Sequence, residues 1–241
     1  ELLVTFGVQT GPKSSIRLME FNNAGENRGE LIVDRKDNFN GFAFLHDFAI
    51  TTNWAIFLQN AIDFNPLPFV MGQRGAAQCL KSNPNKKAKF FIIPRETGLF
   101  RGQSPLIIDA PEGFVFHHVN AYEEDSKIIL YSIFYDDFPS VGPDEDFRDI
   151  DFAKYPEGKL KRSTIDLKKK TVALETISQQ CCEFAAVNPK YLGLKATFAW
   201  MACTHQKVGN APLQAIKKLN IITKEEISWS AAPRGFVSEP I

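Results

Sequence analysis

Two histidines, His46 and His117, are the residues of this chain best suited to chemistry. Only four histidines occur in the 241 residues, and these two stand at corresponding ends of separate strand-like segments. The first segment reads His46-Asp47-Phe48-Ala49-Ile50-Thr51 and turns at Thr52-Asn53 into Trp54-Ala55-Ile56-Phe57-Leu58. The second reads Phe116-His117-His118-Val119-Asn120-Ala121-Tyr122-Glu123-Glu124, turns at Asp125-Ser126-Lys127 and resumes at Ile128-Ile129-Leu130-Tyr131. The two lie too far apart in the chain to share one hairpin. Imidazoles borne at matching ends of different strands are what a protein needs to converge on one metal ion, and imidazole suits iron, zinc and copper alike. In a regular strand alternate residues share a face, so His117, Val119 and Ala121 point one way and His118 and Asn120 the other. His117 and His118 therefore cannot both reach the same ion. Spacing alone leaves open that each is an ordinary hydrogen-bonded imidazole.

Strand signals dominate and helical periodicity is weak. Strands are expected over residues 16–21, 29–33, 41–51, 54–61, 88–94, 105–109, 113–122, 127–135, 159–166, 171–177, 197–202, 214–219 and 226–230, with a further strand-like start after Glu1. Turns are expected at Asn22-Asn23-Ala24-Gly25, Thr52-Asn53, Asp125-Ser126 and Asp166 to Lys170. Short strands joined by charged turns describe meandering antiparallel sheets, and a β-propeller fits best. Its inner strands run along a common axis, where side chains from different blades meet. Two longer connections interrupt the pattern, at residues 63–87 and 136–157.

Lys and Arg together number 28, as do Asp and Glu, so the formal net charge is zero. That balance argues against a nucleic-acid partner, which a basic surface would have to attract. The 21 Phe against 3 Trp and 5 Tyr mean a Phe-rich core or a cavity for a long apolar ligand. Cys79, Cys181, Cys182 and Cys203 contain no CxxC spacing, and adjacent Cys181 and Cys182 would bridge only with strain. They read as buried reduced thiols in a cytosol-like compartment.

Four motifs carry a family resemblance. Phe42-Ala43-Phe44-Leu45-His46-Asp47-Phe48-Ala49-Ile50-Thr51 and the segment from Phe116 to Glu124 resemble two signature motifs of the carotenoid oxygenases, the family of the carotenoid cleavage dioxygenases and the retinal-pigment isomerohydrolase. Cys182-Glu183-Phe184 running on to Val187-Asn188-Pro189, and Gly235-Phe236-Val237-Ser238-Glu239-Pro240-Ile241, are similar to two more. Gly209 to Ile216 and Trp54 to Cys79 resemble the cyanobacterial apocarotenoid 15,15′-oxygenase branch. The resemblance spans nearly the whole chain with its motifs in order.

The resemblance implies an all-β fold, part of a seven-bladed β-propeller, with Fe(II) on the axis held by four histidines. His46 matches the second ligand and His117 the third, while His118 has no ligand counterpart. Glu183 matches the carboxylate that orients His117, and Glu239 the one that orients the fourth histidine. The first histidine and the carboxylate partner of His46 belong upstream of Glu1, and the fourth histidine downstream of Ile241. The chain is thus expected to be a fragment, residues 1–241 forming one propeller domain incomplete at both ends. His205 matches no ligand motif. Phe44 and Phe116 match aromatics bordering a polyene tunnel, with core packing the alternative for each.

The implied function is an iron-dependent dioxygenase that splits a conjugated double bond of a carotenoid or apocarotenoid with O2, giving retinal-type aldehydes. A propeller that binds apolar polyenes or partners without turnover is the alternative, and a Cys181 or Cys182 nucleophile paired with His205 is a remote third. The apolar segment Phe64-Asn65-Pro66-Leu67-Pro68-Phe69-Val70-Met71 belongs either to a lid or core, or to a peripheral membrane contact. The compartment is expected to be cytoplasm or plastid.

Overall fold

The computed structural model describes residues 2–10, 14–22, 29–139 and 151–239. Within them, four antiparallel meanders follow one another along the chain. The first sheet holds β1 (Leu2–Gln9), β2 (Ser14–Asn22) and β3 (Glu30–Phe39). β4 (Ala49–Ile50) and β5 (Trp54–Gln59) begin the second. An insertion follows, with β6 (Ile62–Phe64), α1 (Pro66–Val70) and β7 (Leu80–Ser82), before β8 (Lys89–Pro94) and β9 (Leu106–Asp109) complete that sheet. The third consists of β10 (Phe114–Glu124), β11 (Lys127–Tyr135), β12 (Lys159–Asp166) and β13 (Thr171–Thr176). The fourth consists of β14 (Cys182–Val187), β15 (Phe198–Thr204), β16 (Leu213–Asn220) and β17 (Glu226–Ser230).

Side-chain alternation explains why these sheets stack as blades. On β5, Ala55 and Phe57 join Ile16 and Leu18 in a core between the first and second sheets, whereas Trp54, Ile56 and Leu58 face the third. On β11, Ile128, Leu130 and Phe134 face the second sheet, and Ile129, Tyr131, Ile133 and Tyr135 face the fourth. A middle strand buried on both faces must be apolar at nearly every position, and these two read that way, the exceptions being buried Ser132 and the strand-end residues Lys127 and Gln59. Each fully buried Phe or Ile contributes about 1.5–3 kcal/mol, so the stability of the stack resides between its sheets. Buried Glu20 on β2 also clamps Arg95, just past β8, through two hydrogen bonds of 2.8 and 3.0 Å.

The first strands of the last three sheets come together, β10 touching both β4 and β14. That is the inner edge of a propeller, and all the chemistry-bearing residues lie there. Several expectations need correction at this edge. Residues 42–48 form no strand; only Ala49–Ile50 of the expected 41–51 does, pairing with Ile56 and Ala55 of β5. β14 carries no strand signal in the sequence, since its apolar–polar alternation is broken by a bulge. Of the expected turn at residues 22–25 only Asn22 lies within the described residues, and the connection 136–157 is described only at its ends.

Candidate metal centre

His46 sits on irregular backbone just before β4, and His117 near the start of β10. Their Nε2 atoms face each other at 3.2 Å. Two imidazoles bound to one ion through bonds of about 2.1 Å also stand roughly this far apart. The donor set therefore suits a shared metal.

Behind His117 stands Glu183, on β14 of the next sheet. Its Oε2 lies 2.6 Å from His117 Nδ1. A carboxylate there fixes the proton on Nδ1 and leaves the Nε2 lone pair pointing into the site. The same Oε2 accepts from Phe184 N at 2.8 Å, while Oε1 accepts from the Tyr135 hydroxyl at 2.6 Å. The hydrogen bond that His117 Nδ1 donates to Glu183 holds the His117 pKa above the ordinary imidazole value; burial opposes this, and the charges of Glu183, Asp47 and Glu239 assist it. Burial and the Glu183 carboxylate push the Tyr135 phenol far up, so it stays a donor.

Local irregularity makes this convergence possible. The β10–β11 register slips between Val115 and His118 and again between His118 and Asn120. Each slip inserts one residue into β10 and re-aims the side chains beside it. The simple face assignment fails as a result: Val119 packs between the third and fourth sheets and Ala121 between the second and third. His117 and His118 do point apart. His118 Nδ1 is 2.7 Å from Ser132 Oγ, and burial lowers its pKa. On β14 the register slips between Glu183 and Ala186, and Phe184 adopts φ 53°, the left-handed region that bulky residues rarely enter. Its ring lies 5.4 Å from that of His117.

Asp47 joins the two histidine segments. Its carboxylate accepts from His118 N and from Phe48 N, each at 2.7 Å. Sequence reading missed both Asp47 and Tyr135. Asp47 had one available signal, its position directly after His46; the Tyr135 role depends on a contact between blades that no local pattern encodes.

The other expected site residues fall as follows. Phe44 and Phe116 flank the His46 ring, with centroids 6.0 and 5.5 Å away. Glu239 lines an open cleft of about 290 Å³ together with His46, Asp47, His117, His118, Phe184 and Ala185; Pro240 and Ile241 lie outside the described residues. His205 pairs with Ser230 Oγ at 2.8 Å, and burial pushes the Cys181 thiol up to about 11, which disarms the cysteine-nucleophile alternative. All four cysteines are buried free thiols. Residues Leu67, Phe69, Val70 and Met71 are exposed, so the segment around α1 is not core. Among the described residues, no group of three or more His, Cys, Asp or Glu side chains gathers as a metal site, and no helix is long and apolar enough to cross a membrane.

Known proteins resemble this chain in sequence and in fold. The family model described as retinal pigment epithelial membrane protein matches residues 1–241. The apocarotenoid-15,15′-oxygenase of Synechocystis is 42% identical over 99% of this chain and 47% of its own length. The carotenoid 9,10(9′,10′)-cleavage dioxygenase 1 of Arabidopsis thaliana is 26% identical over 65% of this chain and 28% of that protein. The cobalt-substituted Synechocystis apocarotenoid oxygenase superposes with a TM-score of 0.91 at 42% identity, covering 99% of this chain and 48% of the other. The chain therefore spans about half the length of that oxygenase, a seven-bladed propeller.

Proposed function

The chain belongs to the carotenoid oxygenase family, that of the retinal pigment epithelial membrane protein, and we propose on that footing that the protein it forms part of cleaves a conjugated double bond of a carotenoid or apocarotenoid with O2, giving aldehyde products. The observation that carries this reading is the approach of His46 Nε2 and His117 Nε2 to 3.2 Å from two different blades. The similar proteins bear the names of oxygenases, which tells against a propeller that binds without turnover.

Iron is the metal we assign, with His46 and His117 as two of its ligands and the others in the remainder of the propeller; when bound, it supplies the redox chemistry that dioxygen cleavage requires. Glu183 keeps the His117 proton on Nδ1, so that Nε2 remains a ligand, and Glu239 plays the matching part for a histidine outside residues 1–241. Phe44 and Phe116 give the site an apolar wall that packs against a polyene and excludes water. Residues 1–241 form part of one propeller domain. The exposed side chains of α1 serve as a peripheral membrane contact where apolar substrate is collected, in cytoplasm or plastid.

Supplying the whole iron-loaded protein with apocarotenals and following aldehyde release tests the proposal. Retinal-type aldehydes are the expected product. A loaded protein inert toward a panel of carotenoids and apocarotenoids would contradict it. Binding to lipid vesicles that survives replacement of Leu67, Phe69 and Val70 by serine would contradict the membrane contact.

A further inference from the structure

The Glu183 carboxylate ends a flexible side chain, yet it has to meet His117 in one orientation. Two of its donors, His117 Nδ1 and Phe184 N, both reach Oε2. A pair of bonds to one oxygen leaves the carboxylate able to pivot about it. Oε1 is held from the other side by the Tyr135 hydroxyl at 2.6 Å.

We infer that Tyr135 is a positioning residue for the metal site, its phenol locking the Glu183 carboxylate in the orientation that fixes the His117 imidazole. The inference rests on the proposed reading of His117 as a metal ligand.

Tyr135 is well suited to this task. It closes β11, whose pairing with β12 is uninterrupted from Lys127 to Phe134, so the ring is carried by regular sheet rather than by a bulge. Only 9% of the residue is exposed, and the ring packs edge-on against Phe116 at 5.9 Å. The neighbouring chain makes room for it: a Cβ at Gly158 would lie 2.9 Å from Tyr135 Cζ and 2.7 Å from the Cys182 carbonyl oxygen. Beyond the phenol lies a largely apolar cavity of about 340 Å³, lined in part by Phe116, Phe152, Tyr155, Cys181 and Leu213, with Glu183 on its wall. Apart from Tyr155 and Asn210, whose amide donates to the Pro156 carbonyl, such a lining offers the carboxylate little in place of the hydroxyl. A buried acceptor stripped of its donor either turns away or carries the full desolvation cost.

Tyr135→Phe removes one oxygen and leaves the ring. The test is Co(II) binding to the metal-free whole protein, measured by chelator competition and by the visible absorption of the bound ion. Tyr135→Phe should weaken Co(II) affinity by about tenfold, at the low end for partners of metal ligands. It should shift the absorption bands and destabilise the metal-free protein by no more than the loss of one hydrogen bond, about 1 kcal/mol. Because Tyr135 acts through Glu183, adding Tyr135→Phe to Glu183→Ala should cost no further affinity. Unaltered affinity and bands, losses that add in the double variant, or a destabilisation well beyond one hydrogen bond would each overturn the inference. Unmodified protein that binds no Co(II) would instead overturn the reading of the site beneath it.

Discussion

Strands β10 and β11 are neighbours in one sheet, yet they are built on opposite terms. β11 pairs with β12 without a break, and its residues from Ile128 to Tyr135 are all buried. β10 pairs with β11 through two register slips on either side of His118, and His46 and Glu183, which it meets from the neighbouring sheets, also lie beside irregular backbone. The middle strand supplies packing, where regular alternation puts every side chain into one core or the other. The inner strand forgoes ladder hydrogen bonds to aim a few polar groups at one point. Stability and chemistry are thus divided between strands that touch, and substitutions should separate them.

The largest effect falls on the inner edge. His46→Ala or His117→Ala in the whole protein should abolish iron retention and turnover, read by metal analysis of the purified protein, with the thermal midpoint of the metal-free form little altered. Retained iron in either variant would contradict the assignment of ligands. A middle strand should respond in the opposite way. Phe90 on β8 is fully buried between the second and third sheets, and Phe90→Ala should cost about 3–5 kcal/mol in denaturant unfolding while the folded fraction binds metal as before. Equal damage to metal affinity would erase the division.

Smaller effects test how the inner edge is held. Glu183→Gln should reduce metal affinity about 10–100-fold, and a change of less than about twofold would remove Glu183 from its orienting role. His118→Ala breaks the bond to Ser132 Oγ and should cost about 1 kcal/mol of stability but no metal; loss of iron would mean that the wrong member of the pair has been chosen.

The smallest effect is on pH. The His117 pKa is raised by Glu183, so in metal-free protein the protonated pair contributes stability that is fully present below about pH 6.5. That contribution fades as pH rises through the raised value. An NMR titration should find His117 above the ordinary imidazole value and find it lowered in Glu183→Gln; no difference between the two would disconnect Glu183 from the ring.

Much of the fold was legible because blade packing imposes a local rule. Apolar runs such as Ile128 to Phe134 and Trp54 to Leu58 sit between charged turns, and they mark strands wherever both faces are covered. The irregular inner edge obeys no such rule. The slips around His118, the unpaired course of residues 42–48 and the left-handed Phe184 arise from contacts between blades. Periodicity therefore predicted a strand where none forms and overlooked β14. The site was legible to the same degree: His46, His117 and Glu183 could be named from motifs, whereas Tyr135 and Asp47 emerge only when neighbouring sheets are set side by side.

Anomalous diffraction at the iron edge from crystals of the whole metal-loaded protein addresses the central claim most directly. The account predicts one peak within bonding distance of both His46 Nε2 and His117 Nε2, with Glu183 still on His117 Nδ1. A peak that leaves either nitrogen unbound would contradict it.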